Sequence, residues 1–267
     1  MVGDKLWFYL KIYIYISSQY IKARMQYRID FILSTLGLLA MNTAGLFSFW
    51  VVLQSIPSLG GWKFYELVFI YAFSLLASSP MGVLFNNLWN LRPHIFDGTF
   101  IKYYFKPLNM LFYYVSEVVD LKGLSQVFFA LATLIYASLK LGILWNPGKL
   151  FLLMLTLVSS SLSMISMMLI AASTGFWILN ANAVMVFTSR LRELTRYPLT
   201  IFNNFFRYIL TFIIPIGFIA FYPAQFFLRP EKLSVLVYLS PLFGFGFFRL
   251  AYEVWKRGVN SYSGTGS

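Results

Sequence analysis

The chain contains no cysteine and a single histidine, His94, and only 11% of its 267 residues are charged. Each scarcity removes a class of chemistry. Without cysteine there is no disulfide and no thiolate nucleophile, so the compartment has to be argued from topology. A lone histidine with no cysteine to join it makes no metal site, and His94 is expected as a solvated loop residue. So little charge cannot cover a water-facing surface, since an ordinary globular domain carries about 25% charged residues. Neither HExxH nor GxSxG occurs. The nearest approach to a phosphate-binding loop is GILWNPGKL, where five residues rather than four separate Gly142 from Gly148, and Leu150 stands where a Ser or Thr would ligate magnesium. The chain is therefore expected to hold no cofactor or metal and to hydrolyse no ATP itself.

Apolar runs are what it has instead. Hydrophobic residues make up 59% of the sequence, and about 20 consecutive ones cross a bilayer as a helix. No charge lies between Asp30 and Lys63, Glu66 and Arg92, Lys122 and Lys140, Lys149 and Arg190, Arg207 and Arg229, or Lys232 and Arg249. These runs predict an all-α membrane protein whose six transmembrane helices lie near 31–54, 66–88, 117–139, 150–175, 206–227 and 233–252. The run after Lys149 exceeds one span, so its tail from about Gly175, with Asn180 and Asn182, is expected to bend along or below the interface.

The net charge of +12 is distributed as a membrane protein distributes it. Six spans put both termini on one side, with Lys5, Lys11, Lys22, Arg24, Arg28, Arg92, Lys102, Lys106, Lys122, Arg190, Arg192, Arg196, Arg207, Arg249, Lys256 and Arg257. The other side keeps Lys63, Lys140, Lys149, Arg229 and Lys232. Short loops rich in Lys and Arg stay cytoplasmic, so the bias predicts a multi-pass protein of the cell membrane with both ends in the cytoplasm. Segments 90–112 and 180–205 fall on that side too, and nucleic acid is not an expected partner. A cleaved signal peptide is not expected either, because Lys5, Lys11 and Lys22 interrupt the first apolar segment. At 100° per residue, Asp4, Lys5, Lys11, Ser18, Gln19, Lys22 and Gln26 fall within an arc of roughly 140°. Residues 1–28 thus suit a helix lying in the headgroup plane of the lipid bilayer.

Charge within the spans is sparse. Glu117, Asp120 and Lys122 cluster at the cytoplasmic start of the third span, where acid and base can pair at the interface. No other span carries a charge at its centre, which weighs against a proton- or sodium-coupled carrier. The stretch SSSLSMISMM, Ser159 to Met168, suits close helix packing, and no internal repeat of the inverted-repeat carriers is evident. Between spans two and three, NLRPHIFDGTFIKYYFKPLNMLF (Asn90–Phe112) is too polar to insert and too aromatic to float free. Pro93 and Asp97-Gly98 mark a turn before a short helix that Asp97 or Thr99 can cap. Lys102 and Lys106 lie four apart on one face.

These residues resemble a known family. FDGTFIKYYFKPLNMLF looks like the first cytoplasmic loop of the ABC-2-type transporter permeases, in which a Gly and a Pro-Leu pair frame a short helix. RYPLTIFNNFFRYILTFIIPIGFIAFYPA (Arg196–Ala224), the C-terminal WKRGVNSYSGTGS and YRIDFILS are similar to further segments of the same family, in the same order. The sequence departs where Lys106 precedes the Pro in place of the more usual Arg, which keeps the charge without the planar fork.

The resemblance implies a single permease domain, residues 1–267, in an exporter. Residues 1–28 would be the interfacial connecting helix, 90–112 the coupling loop and 253–267 a cytoplasmic tail. A cytoplasmic ATPase subunit would bind ATP and Mg, and a second permease subunit, alike or related, would complete the path. The ATPase contact would fall within Arg92–Lys106. There Phe96, Phe100 and Tyr103 would be anchors, Asp97 and Gly98 would set the turn, and Thr99 and Lys106 would flank it. The basic stretch from Arg190 to Arg207 would rest on anionic headgroups, with Tyr197-Pro198 breaking the helix. Pro215 would kink the fifth span and Pro223 would end it. A secondary carrier or channel-like polytopic protein is the alternative class.

Overall fold

The charge-free runs from Asp30 to Lys63 and after Lys149 hold two of the longest helices, Arg28–Ser55 and Pro147–Ser173. The computed structural model describes residues 2–24, 26 and 28–263, residues 2–6 and 24 by their backbone alone. Among the described residues, five helices are long and apolar enough to cross a membrane: α2 (Arg28–Ser55), α3 (Phe64–Leu84), α6 (Lys122–Lys140), α7 (Pro147–Ser173) and α11 (Val235–Ser261). The other α-helices are α1 (Val2–Arg24) and the shorter α4 (Leu91–Phe96), α5 (Met110–Ser116), α8 (Ala181–Glu193), α9 (Asn204–Tyr208) and α10 (Phe221–Leu228). Among the described residues the one β pairing is a bridge between Leu59 and Trp62. The protein is all-helical, as expected.

Helix α3 is the axis of the bundle. It is apolar on every face and buried almost throughout, between α6 and α7, as a helix without a polar stripe must be. By contrast α2 leaves Ile29, Ile32, Leu33, Leu36, Met41, Trp50 and Val52 uncovered. The GILWNPGKL stretch is a helix start and not a nucleotide loop: the Asn146 side chain accepts from Lys149 N at 2.8 Å, and Pro147 opens α7, where a missing N–H costs nothing.

The tightest helix pair is α7 with α11. Pro241 within α11 cannot donate to the helix ladder, and the Ser240 hydroxyl donates to Val237 O at 2.7 Å instead. The Ser159 hydroxyl donates to Ser240 O at 2.6 Å and accepts from Gly244 N at 2.9 Å. A Cβ on Gly244 would lie 1.8 Å from Ser159 O, so only glycine permits this approach. Small residues are how helices meet closely without a hydrophobic driving force, and the packing role expected for SSSLSMISMM holds.

Two ends of the bundle can be named by their contacts. One carries Gly60, where Tyr65 faces Tyr136 of α6 and Arg229 donates to Gly61 O at 2.6 Å. The other carries Phe100, where Phe176 and Trp255 meet. Residues 181–201 run from the second end to the first. Arg92 Nε donates to Leu179 O at 2.9 Å at the start, Thr195 meets Ser74 at mid-height of α3, and Thr200 donates to Gly60 O at 2.8 Å. Residues 204–228 then form a hairpin. It leaves the Gly60 end, reaches the middle of α7, where Ser160 donates to Phe218 O at 3.3 Å, and returns through α10 to Phe227 against Trp145 and Arg229 against Glu66.

Several expectations are corrected here. Residues 206–227 are not one spanning helix: α9 passes into a π-helix at Ile209–Ile213, the chain is extended at Ile214, and a 3-10 turn covers Ile216–Phe218 before α10. Carbonyls freed at such breaks need partners, and Ser160 supplies one. The tail after Gly175 does not follow an interface, because α8 turns back to pack on α7. Segment 180–205 does not lie wholly on the side opposite Ser58, since Thr200 touches Gly60. Helix α6 starts at Lys122 and not at 117, and residues 253–261 of the expected tail are the last turns of α11. Ser267, like Met25 and like Tyr27 of the YRIDFILS segment, lies outside the described residues. Helix α1 spans Val2–Arg24 and rests Tyr9 and Tyr13 against Phe112 of α5, with Trp7, Phe8, Leu10 and Ile14 exposed.

Candidate functional site

The Phe100 end is built by one turn and one ring. Helix α4 stops at Phe96. Asp97 N donates to Pro93 O at 2.9 Å and Gly98 N to Ile95 O at 3.2 Å, and Gly98 adopts φ +69. That left-handed position after a helix is where glycine is favoured. Beyond it a 3-10 helix, Thr99–Tyr103, drives Phe100 into the protein. Its ring meets Tyr103 at 5.2 Å, Tyr114 at 5.8 Å, Phe176 at 5.3 Å, Trp255 at 6.1 Å and Tyr262 at 5.4 Å. Edge-to-face pairs of this kind each contribute about 0.5–1.5 kcal/mol beyond burial.

Phe100 and Tyr103 are therefore not surface anchors. Both are buried, whereas Phe96 and Phe105 are exposed, at 58% and 79%, with Ile101 and Tyr104 beside them. The physical reason is the 3-10 winding: side chains three apart eclipse, so positions 100 and 103 share the inward face. Neither Asp97 nor Thr99 caps this helix, whose N-cap is Gly98 without a side-chain bond, and Thr99 Oγ1 donates back to His94 O at 3.3 Å. Lys102 and Lys106 do not share a helical face, since the helix ends at Tyr103. Lys102 lies over the Tyr103 ring and Lys106 over that of Tyr113.

The expected charge cluster is divided among other partners. Glu117 receives Lys102 Nζ at 3.1 Å and the Tyr103 hydroxyl, which clasps the 3-10 helix to the end of α5. Burial and then the Glu117 carboxylate hold the Tyr103 phenol far above its ordinary range, so it remains a donor. Asp120 Oδ1 accepts from Lys122 N at 3.0 Å and starts α6, while Lys122 Nζ reaches Asp30 at 3.7 Å. His94 is not a solvated loop residue. It sits half-buried on α4, 3.4 Å from the Tyr114 hydroxyl, and burial lowers its pKa below the ordinary 6.5, with Lys102 adding to the shift and Glu117 and Asp97 opposing it. Arg92 is held through Nε by Leu179 O and lies over Phe96 at 5.1 Å.

The three prolines are placed differently from one another. Pro198 follows Tyr197 in extended backbone (φ −69, ψ 137) between two 3-10 turns, so the break there is present. Pro215 follows extended Ile214 at the hairpin tip, which is a sharper break than a kink. Pro223 does not end a helix. It lies in the first turn of α10, where proline is tolerated.

A second polar locus was missed by reasoning from the sequence. The hydroxyls of Ser74 and Thr195 lie 2.5 Å apart, and Gln126 donates to Leu75 O at 3.1 Å and Ser79 Oγ at 3.3 Å. Arg192 and Arg196 line the same small cavity with Ser78, and Arg196 lies 5.6 Å over Tyr71. Arg192 and Arg196 of the basic stretch are thus packed against α3 and not spread on headgroups. The signal available was Ser74, Ser78 and Ser79 within an otherwise apolar helix.

The sequence model of the family described as ABC-2 family transporter protein matches residues 38–266. This chain belongs to that family. The match takes in the Phe100 turn, the arginine-bearing segment, the hairpin and α11. No curated protein and no solved structure matches it. An ABC-2 family protein with five helices apolar enough to span a bilayer is an integral membrane permease of an ABC transporter, the transporter's membrane component and not its catalytic one. Membership implies partnership with an ABC ATPase subunit.

Proposed function

We propose that this permease forms half of the translocation path of an ATP-driven exporter, and that the turn from Arg92 to Lys106 couples it to a separate ATPase subunit that binds ATP and Mg. The observation that carries this reading is the exposed pair Phe96 and Phe105, presented on a turn that the buried Phe100 ring cluster makes rigid. A coupling element has to transmit displacement without yielding. Rings from α5, the 174–176 turn and α11 fix this one to two spanning helices.

In this reading 181–201 is the sixth crossing and 204–228 a re-entrant hairpin from the outer face. The Phe100 end is cytoplasmic and the Gly60 end external. The Lys and Arg bias supports that orientation, and it keeps its sign when Arg192, Arg196 and Arg207 leave the cytoplasmic set. Both chain ends then face the cytoplasm of a cell-membrane protein. A second permease, identical or related, pairs across the path, and the uncovered apolar flank of α2 suits either that partner or lipid.

The test separates surface from core. Phe96→Asp with Phe105→Asp is expected to leave the melting midpoint unchanged and to abolish ATPase co-purification. Phe100→Ala is expected to cost about 3–5 kcal/mol of stability and to lose the ATPase only as the protein loosens. ATPase recovery at the wild-type level with the double aspartate variant overturns the coupling assignment.

A further inference from the structure

Arg192 and Arg196 are the charges that the proposed function leaves unexplained. Thr195, between them in sequence, meets Ser74, the central residue of the 21-residue α3. At 1.5 Å per residue that point is about 15 Å from either end of the helix, which is the middle of a hydrocarbon core about 30 Å thick. A guanidinium at such depth is expensive unless something accepts its hydrogen bonds. Among the described residues no carboxylate lies within ion-pair reach of either one. Glu193 is taken by Arg190 at 3.3 Å. Ser74 meets Thr195 and Ser79 receives Gln126, and among the described residues no side chain accepts a hydrogen bond from either guanidinium. Ten guanidinium donors and two positive charges thus meet at one place with no carboxylate in ion-pair contact, and Glu193 acts on Arg192 only from a distance.

The next side of the same helix turn is apolar. Leu191, with Val184 and Phe187, lines a cleft of about 310 Å³ that is closed by Met167, Ile170 and Phe247. Cationic donors and an apolar cleft therefore adjoin across consecutive residues, 191 and 192. We infer that Arg192 and Arg196 bind the phosphate-type anion of an amphiphilic cargo whose apolar part occupies the cleft. The fork geometry of two guanidiniums suits a tetrahedral oxyanion. Both residues are partly exposed, so the anion reaches them from the open flank. The cavity they share with Ser78, about 20 Å³, has room for a single water. This inference names a substrate class for the permease and rests on the reading of 181–201 as a crossing.

The experiment uses the full chain in an uncharged maltoside micelle at 0.15 M salt, with calorimetric titration of three probes: dioctanoyl phosphatidic acid, dioctanoyl glycerol and inorganic phosphate. The phosphatidic acid is expected to bind at least tenfold more tightly than either of the others, and Arg192→Gln with Arg196→Gln is expected to weaken it at least tenfold. Ser78→Asp supplies an internal carboxylate, so it should raise the melting midpoint while removing the same binding, a pairing that a merely structural role would not give. Equal affinity for dioctanoyl glycerol, or unchanged phosphatidic acid affinity in both variants, overturns the inference. Inorganic phosphate binding as tightly as the lipid overturns its amphiphilic half and identifies a free anion as the occupant. No ATPase is needed, so this site can fail while ATPase co-purification stands, and the reverse.

Discussion

Residues 181–201 and 204–228 adjoin in sequence and have exchanged the places their compositions suggest. The first carries Arg190, Arg192 and Arg196, and it runs from the Phe100 end past Ser74 to Gly60. The second has no charge between Arg207 and Arg229, yet it breaks at Ile214 and returns to the end it left. Hydropathy measures the cost of facing lipid. It does not measure the cost of facing neighbouring helices, and both segments face neighbours: Thr195 meets α3, and Phe218 stacks 4.0 Å from Phe243 of α11.

The largest expected effect tests that exchange directly. In this cysteine-free chain, single cysteines at Thr200 and Ser58 should label with an impermeant reagent from the same side of intact cells, and one at Asn182 from the opposite side. Thr200 labelling together with Asn182 breaks the comparison. A smaller effect concerns the contact between the segments. A Cβ on Gly217 would lie 2.6 Å from Tyr222 and 2.7 Å from Leu199, so Gly217→Val should destabilise by about 1–3 kcal/mol. A melting midpoint equal to wild type would mean that the hairpin does not seat on 181–201.

Next in size is the hydroxyl pair at mid-height. A double-mutant cycle of Ser74→Ala and Thr195→Val should show a coupling of about 1 kcal/mol, and additive effects would place Thr195 elsewhere. The smallest effect is at the end where 181–201 begins. Burial lowers the His94 pKa in the folded chain, so the unfolded chain takes up the proton first. Its contribution is present above pH 6.5 and is lost as pH falls below that value towards the lowered folded pKa. The thermal midpoint of the wild type should therefore fall more than that of His94→Gln on going from pH 7 to pH 5. Equal falls would place His94 in water.

Much of the fold was legible from residue order alone. The spans at α2, α3, α7 and α11 follow from charge-free runs, and the turn at Asp97-Gly98 follows from its glycine. Less of the candidate site was legible. Phe100 and Phe96 are identical residues four apart, and only the switch from α-helix to 3-10 winding at Gly98 decides which one is buried. Burial of Trp255 and Tyr262 could not be read from the C-terminal motif, because their partners lie more than 140 residues away at Phe100.

By itself the sequence determined the solvent, the helical class and the lack of thiol chemistry, because composition and period act locally and need no partner. The tertiary structure alone decided which of two adjoining segments runs the full height of the bundle, because that depends on what a segment packs against. Ser74 in α3 meets Thr195, and Ser160 in α7 donates to the carbonyl of Phe218 in a broken hairpin. Those two serines lie 121 and 58 residues from the groups they serve, beyond the reach of any window along the chain.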